Sequence, residues 1–438
     1  MALQAVSQYK TSLLKWSLVI GRFLSISILI QVLGFLSGIL LVRQLSHAEY
    51  AFYTISNTLQ STLVVLADVG ISVTLYSIGG KVWNDAHRLG QLMNTTMVFR
   101  RRISIVSTII VIPILTWLLR SNGAGWIYTE LLCLIVLGGA LCRLTNDIYA
   151  TILKLQGFIE KPQRLELLLN VVRLCLLLLV TGVFPNALPC VLLGSLIFAF
   201  QLTKLRVWAS AYVDTTAPPS EEDKVSILKL MRDQLPLTIF YCIQGQLTLY
   251  LLSVFGSVHQ VAEMGALGRI TMILQPLNVL LATIAVPRFA KCQDRQQMLT
   301  LYLGIVGGLI GVCSGIFLVI FLFPHQVLWL LGAKYSHLQN ELSLVVALQL
   351  IIIVSGAIFT LALARGWTNR LWVSIPLFIG ALLLMIPYVD VGSIKGVTIA
   401  NIVAYLVSSV PYVVVTTRSF RAQWRTTVSS ISDGEAKQ

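Results

Sequence analysis

The chain has 438 residues, 56% of them hydrophobic and only 11% charged, with a mean hydropathy of +0.83. A soluble domain carries about 25% charged residues, so this composition cannot cover a water-exposed surface and excludes a soluble globular protein. The net charge of +14 does not point to nucleic acid, because the basic residues are spread over short segments between apolar runs rather than gathered on one face.

Runs of roughly 18–25 apolar residues mark membrane spans, and twelve are expected. In chain order they are Phe23–Val42, Tyr53–Leu75, Ser104–Leu119, Trp126–Leu144, Leu165–Phe184, Leu188–Leu205, Leu235–Phe255, Leu267–Phe289, Leu299–Phe323, Leu342–Ala364, Leu371–Val389 and Gly396–Thr416. No alternating strand pattern appears, so an all-α polytopic bundle is expected. Lys10 and Lys15 precede the first apolar run. That run continues to Val42 without a small-residue cleavage site, so it reads as an uncleaved first span. Between the first two spans, Ser46 is placed as a helix N-cap with Glu49 at the capping-box position. The longest polar interruption is residues 212–233, where Pro218-Pro219 precedes a short amphipathic helix opened by Ser220-Glu221-Glu222-Asp223. The expected organisation is a six-helix lobe over 1–211, a linker over 212–233, a second six-helix lobe over 234–417 and a tail over 418–438. The polar end Ser429–Gln438 reads as disordered.

With the N-terminus inside, the great majority of the 32 lysines and arginines fall in inside segments, and the outside ones hold only Arg43, Arg120, Lys334 and Lys395. The positive-inside rule therefore puts both termini in the cytoplasm. Arg100, Arg101 and Arg102 are counted among the inside loop residues. A weak internal repeat supports two lobes in the same orientation. Ala48-Glu49-Tyr50-Ala51 opens the second span and Ala262-Glu263-Met264-Gly265 opens the eighth. This implies pseudo-twofold lobes with a site between them.

Polar residues within spans fall at helical spacing. The second span carries Tyr53, Asn57, Gln60 and Asp68, and the fifth carries Glu166, Asn170 and Arg173. The seventh has Gln234, Thr238, Tyr241, Gln244 and Thr248, and the eighth has Thr271, Gln275 and Asn278 with Arg269 off that line. Such stripes face neighbouring helices or a water-filled cavity; interhelical hydrogen bonding is the plainer reading of any single member. Arg173 is the sharpest residue, since an arginine at mid-helix costs roughly 2.5–3.5 kcal/mol on the insertion scale. It reads either as pairing with Glu166 or Asp68 or as an anion-binding charge, for which the guanidinium fork suits phosphate. Arg22 and Arg269 lie nearer the interfaces. Asp68 and Glu166 are candidate proton or cation sites. The seven cysteines form no CxxC, and they read as small buried apolar residues. No Walker loop, HExxH or GxSxG is present, so neither an enzyme nor a cofactor is expected.

Arg43-x-Leu45-Ser46-x-x-Glu49-Tyr50-x-x-Tyr53, followed by Leu66-Ala67-Asp68-Val69-Gly70-Ile71, resembles the signature of the polysaccharide biosynthesis (Wzx-type O-antigen) flippases. These belong to the multidrug/oligosaccharidyl-lipid/polysaccharide (MOP) exporter superfamily. The motif covers about thirty residues, and the twelve spans extend the likeness over the chain; Ala51 stands where a glycine is usual. The resemblance implies a MOP-type fold in the bacterial inner membrane. It implies movement of undecaprenyl-pyrophosphate-linked oligosaccharide by alternating access, with arginines of a cationic central cavity on the pyrophosphate. Arg43 and Asp68 match the motif; Arg173 and Arg22 match only the general idea of cavity arginines. Membrane lipids, a polysaccharide polymerase and chain-length machinery are the partners it implies. A multidrug or cation antiporter of the same superfamily, the peptidoglycan-precursor branch with its two extra C-terminal spans, and a membrane polymerase remain as alternatives.

Overall fold

The computed structural model describes residues 25–69, 71–292, 294–365, 367 and 371–435, and the described residues are helical with short connections. The helices are α1 (Ser25–Gln44), α2 (His47–Asp68), α3 (Ile71–Val82), α4 (Ala86–Ser121), α5 (Trp126–Leu155), α6 (Glu160–Val183), α7 (Ala187–Ala209) and α8 (Glu221–Phe255). They continue with α9 (Val258–Thr271), α10 (Gln275–Leu280), α11 (Val286–Lys291), α12 (Arg295–Leu322), α13 (Pro324–Trp329), α14 (Gln339–Ala364), α15 (Ser374–Met385) and α16 (Ile394–Glu435). Among the described residues nine helices are long and apolar enough to cross a membrane. The other three expected spans are present as helix of a different kind. The second starts earlier, at His47, and breaks after Asp68 into α2 and α3. The eighth is a run of short pieces, α9 to α11, joined by a 3-10 turn (Met272–Leu274) and a π-helical turn (Leu281–Ala285). The eleventh is the 12-residue α15 flanked by 3-10 turns. Pro276 and Pro287 open α10 and α11, and a proline nitrogen cannot continue an uninterrupted hydrogen-bond ladder. Of the expected loose end, residues 429–435 are helix instead, since α16 runs on to Glu435, and residues 436–438 lie outside the described residues.

The chain divides into two compact units, Met1–Ala266 and Leu267–Gln438. The expected linker lies inside the first, because α8 packs on α2, α3 and α4. Within this unit several helices exceed a bilayer. At 36 residues α4 is about 54 Å long, against a hydrocarbon core of about 30 Å. One end of the unit, rich in Lys and Arg, therefore projects as a collar of helix ends. It has its own apolar core: Leu75 of α3, Leu89 and Leu92 of α4, Ile148 and Ile152 of α5 and Leu205 of α7.

Residues 212–220 are strapped to the first turns of α4. Asp214 N–H donates to Ala86 O, Asn94 Nδ2 donates to the carbonyls of Thr215 and Ala217, and Ser220 N–H donates to Thr95 Oγ1 at 2.9 Å. Asp214 Oδ2 lies 2.9 Å from His87 Nδ1. Arg88 then makes a two-pronged pair with the buried Asp223, in the first turn of α8. A Cβ at position 90 would run into the Asp214 carbonyl, which is why a glycine sits there.

In the second unit, α14 packs on both α12 and α16. Arg365, at the end of α14, donates to the carbonyls of Ala290 and Cys292 and lies 5.4 Å from the Phe289 ring, tying down the turn between α11 and α12.

Candidate functional site

Helix α2 is the hub of the first unit. Its N-cap is the expected one, with Ser46 Oγ accepting from Glu49 N–H at 3.2 Å. The Glu49 side chain, however, does not close a capping box. Its Oε2 accepts from the Tyr128 hydroxyl (2.5 Å) and from Ala187 N–H (2.7 Å), at the first turns of α5 and α7. A carboxylate at a helix N-terminus is favoured by the unpaired amides and the dipole there, and α7 supplies that terminus. Glu49 thus binds three helix starts together.

One turn further along α2, the buried Tyr53 receives a hydrogen bond from Arg173 Nη2 of α6 at 3.3 Å. Among the described residues this is the only hydrogen bond of the guanidinium, and its Nε is shielded from solvent without a partner. Neither Glu166 nor Asp68 pairs with Arg173. Gly194 of α7 lies beside it and leaves its Nη2 uncrowded. The structure therefore brings together Arg173 and Tyr53 of the second-span stripe, with no counter-charge in contact with the arginine among the described residues.

Deeper along α2, the polar residues are hydrogen-bonding glue. Gln60 is buried and donates to Val136 O of α5 at 3.3 Å, where Gly139 allows the close approach. Thr62 contacts the Tyr250 hydroxyl of α8, and Cys242 Sγ lies against Thr62 O. The two copies of the repeat face each other at the start of α9. Gly265 packs on Thr54, and the rings of His47 and His259 are 4.4 Å apart. Gly265 occupies the repeat position where the first copy has Ala51.

At the basic end, Asp68 is engaged. Its Oδ1 pairs with Arg100 of α4 and accepts from Ser72 Oγ at 2.6 Å. Arg100, only 4% exposed, also donates to Leu144 O. It is no loop residue: α4 extends well beyond the apolar run that marks the third span, and its inner stretch is packed against α2 and α5. Hydropathy ended that span at Ser104, and the charge count assigned everything before it to a loop. Asp147 of α5 is a second residue that the sequence reading missed. Its carboxylate makes no hydrogen bond among the described residues and lies in electrostatic reach of Arg100 and Arg143. Glu166 likewise stands in reach of Lys154 and Arg143 without an ion pair.

The remaining candidates are not gathered here. Arg22 and the side chain of Gln234 lie outside the described residues. Arg43 is exposed at the end of α1. Asn57 and Gln244 are half-buried; Asn170 Nδ2 donates back to Glu166 O on its own helix, and Tyr241 stacks obliquely on Phe240. Arg269, Gln275 and Asn278 belong to the second unit, where Arg269 contacts Met272 Sδ and Asn278 Nδ2 donates to Gln275 Oε1 at 3.4 Å.

No protein-family model matches the sequence, and no curated protein matches it. Solved structures do. The chain is similar to an inward-facing multidrug resistance MATE family transporter of the MOP superfamily at 18% identity, over 90% of this chain and 96% of the other, with a TM-score of 0.69. It is similar to the lipid II flippase MurJ in an inward closed conformation at 13% identity, over 90% and 87%, with a TM-score of 0.67. A MOP superfamily transporter from Pyrococcus furiosus, described as having a binding pocket of reversed polarity, is 17% identical over 91% and 95%, with a TM-score of 0.58. These likenesses establish the fold: the chain is an all-α, multi-spanning membrane protein of MATE/MOP architecture.

Proposed function

We propose that this protein is a MOP-type transporter that moves a polyprenyl-pyrophosphate-linked oligosaccharide across the bacterial inner membrane, with both termini cytoplasmic, for polysaccharide assembly. The observation that carries the proposal is Arg173, an arginine within a span that, among the described residues, holds one tyrosine hydroxyl and no carboxylate. Arg173 is half-buried with its Nε shielded from solvent; withdrawing a guanidinium from water without a counter-ion is costly, and an anionic cargo supplies the missing charge in bidentate geometry. The polar stripe of α2 to which Tyr53 belongs, with Asn57 one turn further on, suits a hydrated saccharide. Transport proceeds by alternate exposure of the head group to the two faces. The lipid II flippase shows that this fold is used for a lipid-linked saccharide.

A second reading is favoured by a separate observation. Among the described residues Asp147 and Glu166 are carboxylates without ion-pair partners, and the multidrug transporters share the fold. A cation antiporter would use those acids. The test is accumulation of lipid-linked oligosaccharide in a strain lacking the protein, complemented by wild type, Arg173→Ala or Arg173→Lys at matched expression. Clearance by wild type, failure of the alanine variant and partial rescue by lysine support the anionic cargo. No accumulation, together with altered resistance to cationic compounds that depends on Asp147 or Glu166, replaces it with the antiporter.

A further inference from the structure

Three cavities of the second unit lie end to end along α12. The first, about 860 Å³, is mixed in character, with Asp294, Gln297 and Thr300 on its lining beside Leu301 and Ile305. The second, about 290 Å³, shares Ile305 and is walled by Gly308 and by Leu281 and Ile284 of the π-helical turn. The third, about 470 Å³, shares Val312 and continues past Gly315 to Ile320, closed by Ile273 and Val327. Beyond Ile305 every lining residue is apolar or glycine. The trough exists because the eighth span is broken: its 3-10 and π turns do not keep the straight surface that a regular helix would press against α12. π-Turns of this kind recur at functional positions.

From these cavities we infer that the trough seats the long isoprenoid chain of the lipid-linked cargo; the inference rests on the flippase reading and deepens it. From Ile305 to Ile320 the trough runs about 22 Å along the helix axis. One leaflet of hydrocarbon is only about 15 Å deep. A phospholipid acyl chain belongs to one leaflet, whereas a polyisoprenoid is long enough to follow the trough from one into the other. The mouth that carries Asp294, Gln297 and Thr300 lies at the start of α12, and the apolar trough runs away from it along the helix. Because lipid tails are as apolar as the trough, the chain is held by close packing rather than by hydrophobic transfer. The glycines matter for that reason: a Cβ added at Gly308 or Gly315 meets no protein atom within 4 Å, so the space beside them is free for a ligand.

The experiment fills the trough. Gly308→Leu and Gly315→Leu occupy it; Gly307→Leu and Gly311→Leu make the same change on the same helix at positions that also have open space but do not line it. Purified wild type and variants in liposomes are labelled with a photoactivatable long-chain polyprenyl phosphate and, separately, with a photoactivatable-acyl phospholipid. The expected result is polyprenyl labelling of α12 that falls about tenfold in the two trough variants and is unchanged in the controls. Transport of a long-chain lipid-linked saccharide should lose affinity by a similar factor, and a short-chain analogue should not. Even labelling of all spans, phospholipid labelling of the trough in place of polyprenyl, or trough variants that behave as the controls would overturn the inference. If wild type transports no lipid-linked saccharide, the flippase reading fails by itself, and the labelling with free polyprenyl phosphate still decides the trough.

Discussion

The contact between the two copies of the repeat can be tested at Gly265. An added Cβ there would stand 2.5 Å from Thr54 Oγ1, 2.8 Å from Thr54 Cγ2 and 3.2 Å from Thr54 Cβ. Thr54 is buried on α2, and as a β-branched residue its χ1 is restricted. Turning it only exchanges one clashing branch for the other, so no rotamer clears the site. Alanine gains about 1 kcal/mol over glycine in a helix interior, while overpacking costs about 1–3 kcal/mol. Two contacts under 3.0 Å put the clash in the upper part of that range, about 2–3 kcal/mol, leaving Gly265→Ala about 1–2 kcal/mol less stable than wild type. In a Thr54→Ala background both clashing atoms are gone. Thr54 Oγ1 has no hydrogen-bond partner among the described residues, so that change alone removes only packing. Gly265→Ala should then be neutral or stabilising, with a coupling of about 1–3 kcal/mol between the sites. The assay is SDS-induced unfolding of the purified protein in mixed micelles for the four members of the cycle. Equal effects of Gly265→Ala in both backgrounds, or a stabilised single variant, would refute the packing argument.

Three further outcomes follow from the first unit. Arg100→Met should cost about 3 kcal/mol, the lower end for a broken buried pair because Asp68 is partly exposed, and Arg100→Met with Asp68→Leu should recover most of it in the same unfolding assay. Glu49→Ala leaves the Tyr128 O–H donor and Ala187 N–H without their acceptor and should cost about 2–3 kcal/mol, while Glu49→Gln keeps the acceptor and should cost about 1 kcal/mol; similar losses for the two would remove the charge from the explanation. Hydrogen bonds from the Thr216 hydroxyl, from His87 and from the Thr216 amide hold the Asp214 carboxyl down at about 2. Its contribution to the strap is therefore complete above the ordinary value of 3.8 and lost as pH falls through about 2. Hydrogen exchange at Thr216 should lose protection over that window, and Asp214→Asn should remove the dependence.

Nine of the twelve expected spans were legible, among the described residues, because a lipid-length apolar run is a one-dimensional signal; the breaks in the other three were not. The Ser46 cap, whose geometry is local, was legible too. Arg100 was not legible. Its neighbours Arg101 and Arg102 are exposed, and a rule that counts basic residues by segment cannot separate one buried arginine from two solvated ones. The same limit applies to the stripes. Gln60 and Asn57 share a helical face, yet one is bonded to a carbonyl of α5 and the other only half-buried; that difference is decided by partners far away in sequence. The capping-box expectation for Glu49 failed for a related reason, since two distant donors outcompete the local amide.

The collar of helix ends around Leu89, Leu92 and Ile152 gives this protein two regimes of cohesion. Inside the bilayer, helices gain nothing by leaving lipid for one another except packing and hydrogen bonds. In the collar the competing solvent is water, and every buried leucine is held there by the aversion of water for hydrocarbon. Urea weakens that second regime and hardly touches the first. Mild denaturant should therefore loosen the collar, strap and all, while the spans stay folded. A temperature shift should do the same unequally, since only the collar carries the large heat capacity of hydrated apolar surface. The part of the molecule that stands clear of the membrane is thus the part whose order the aqueous environment can adjust.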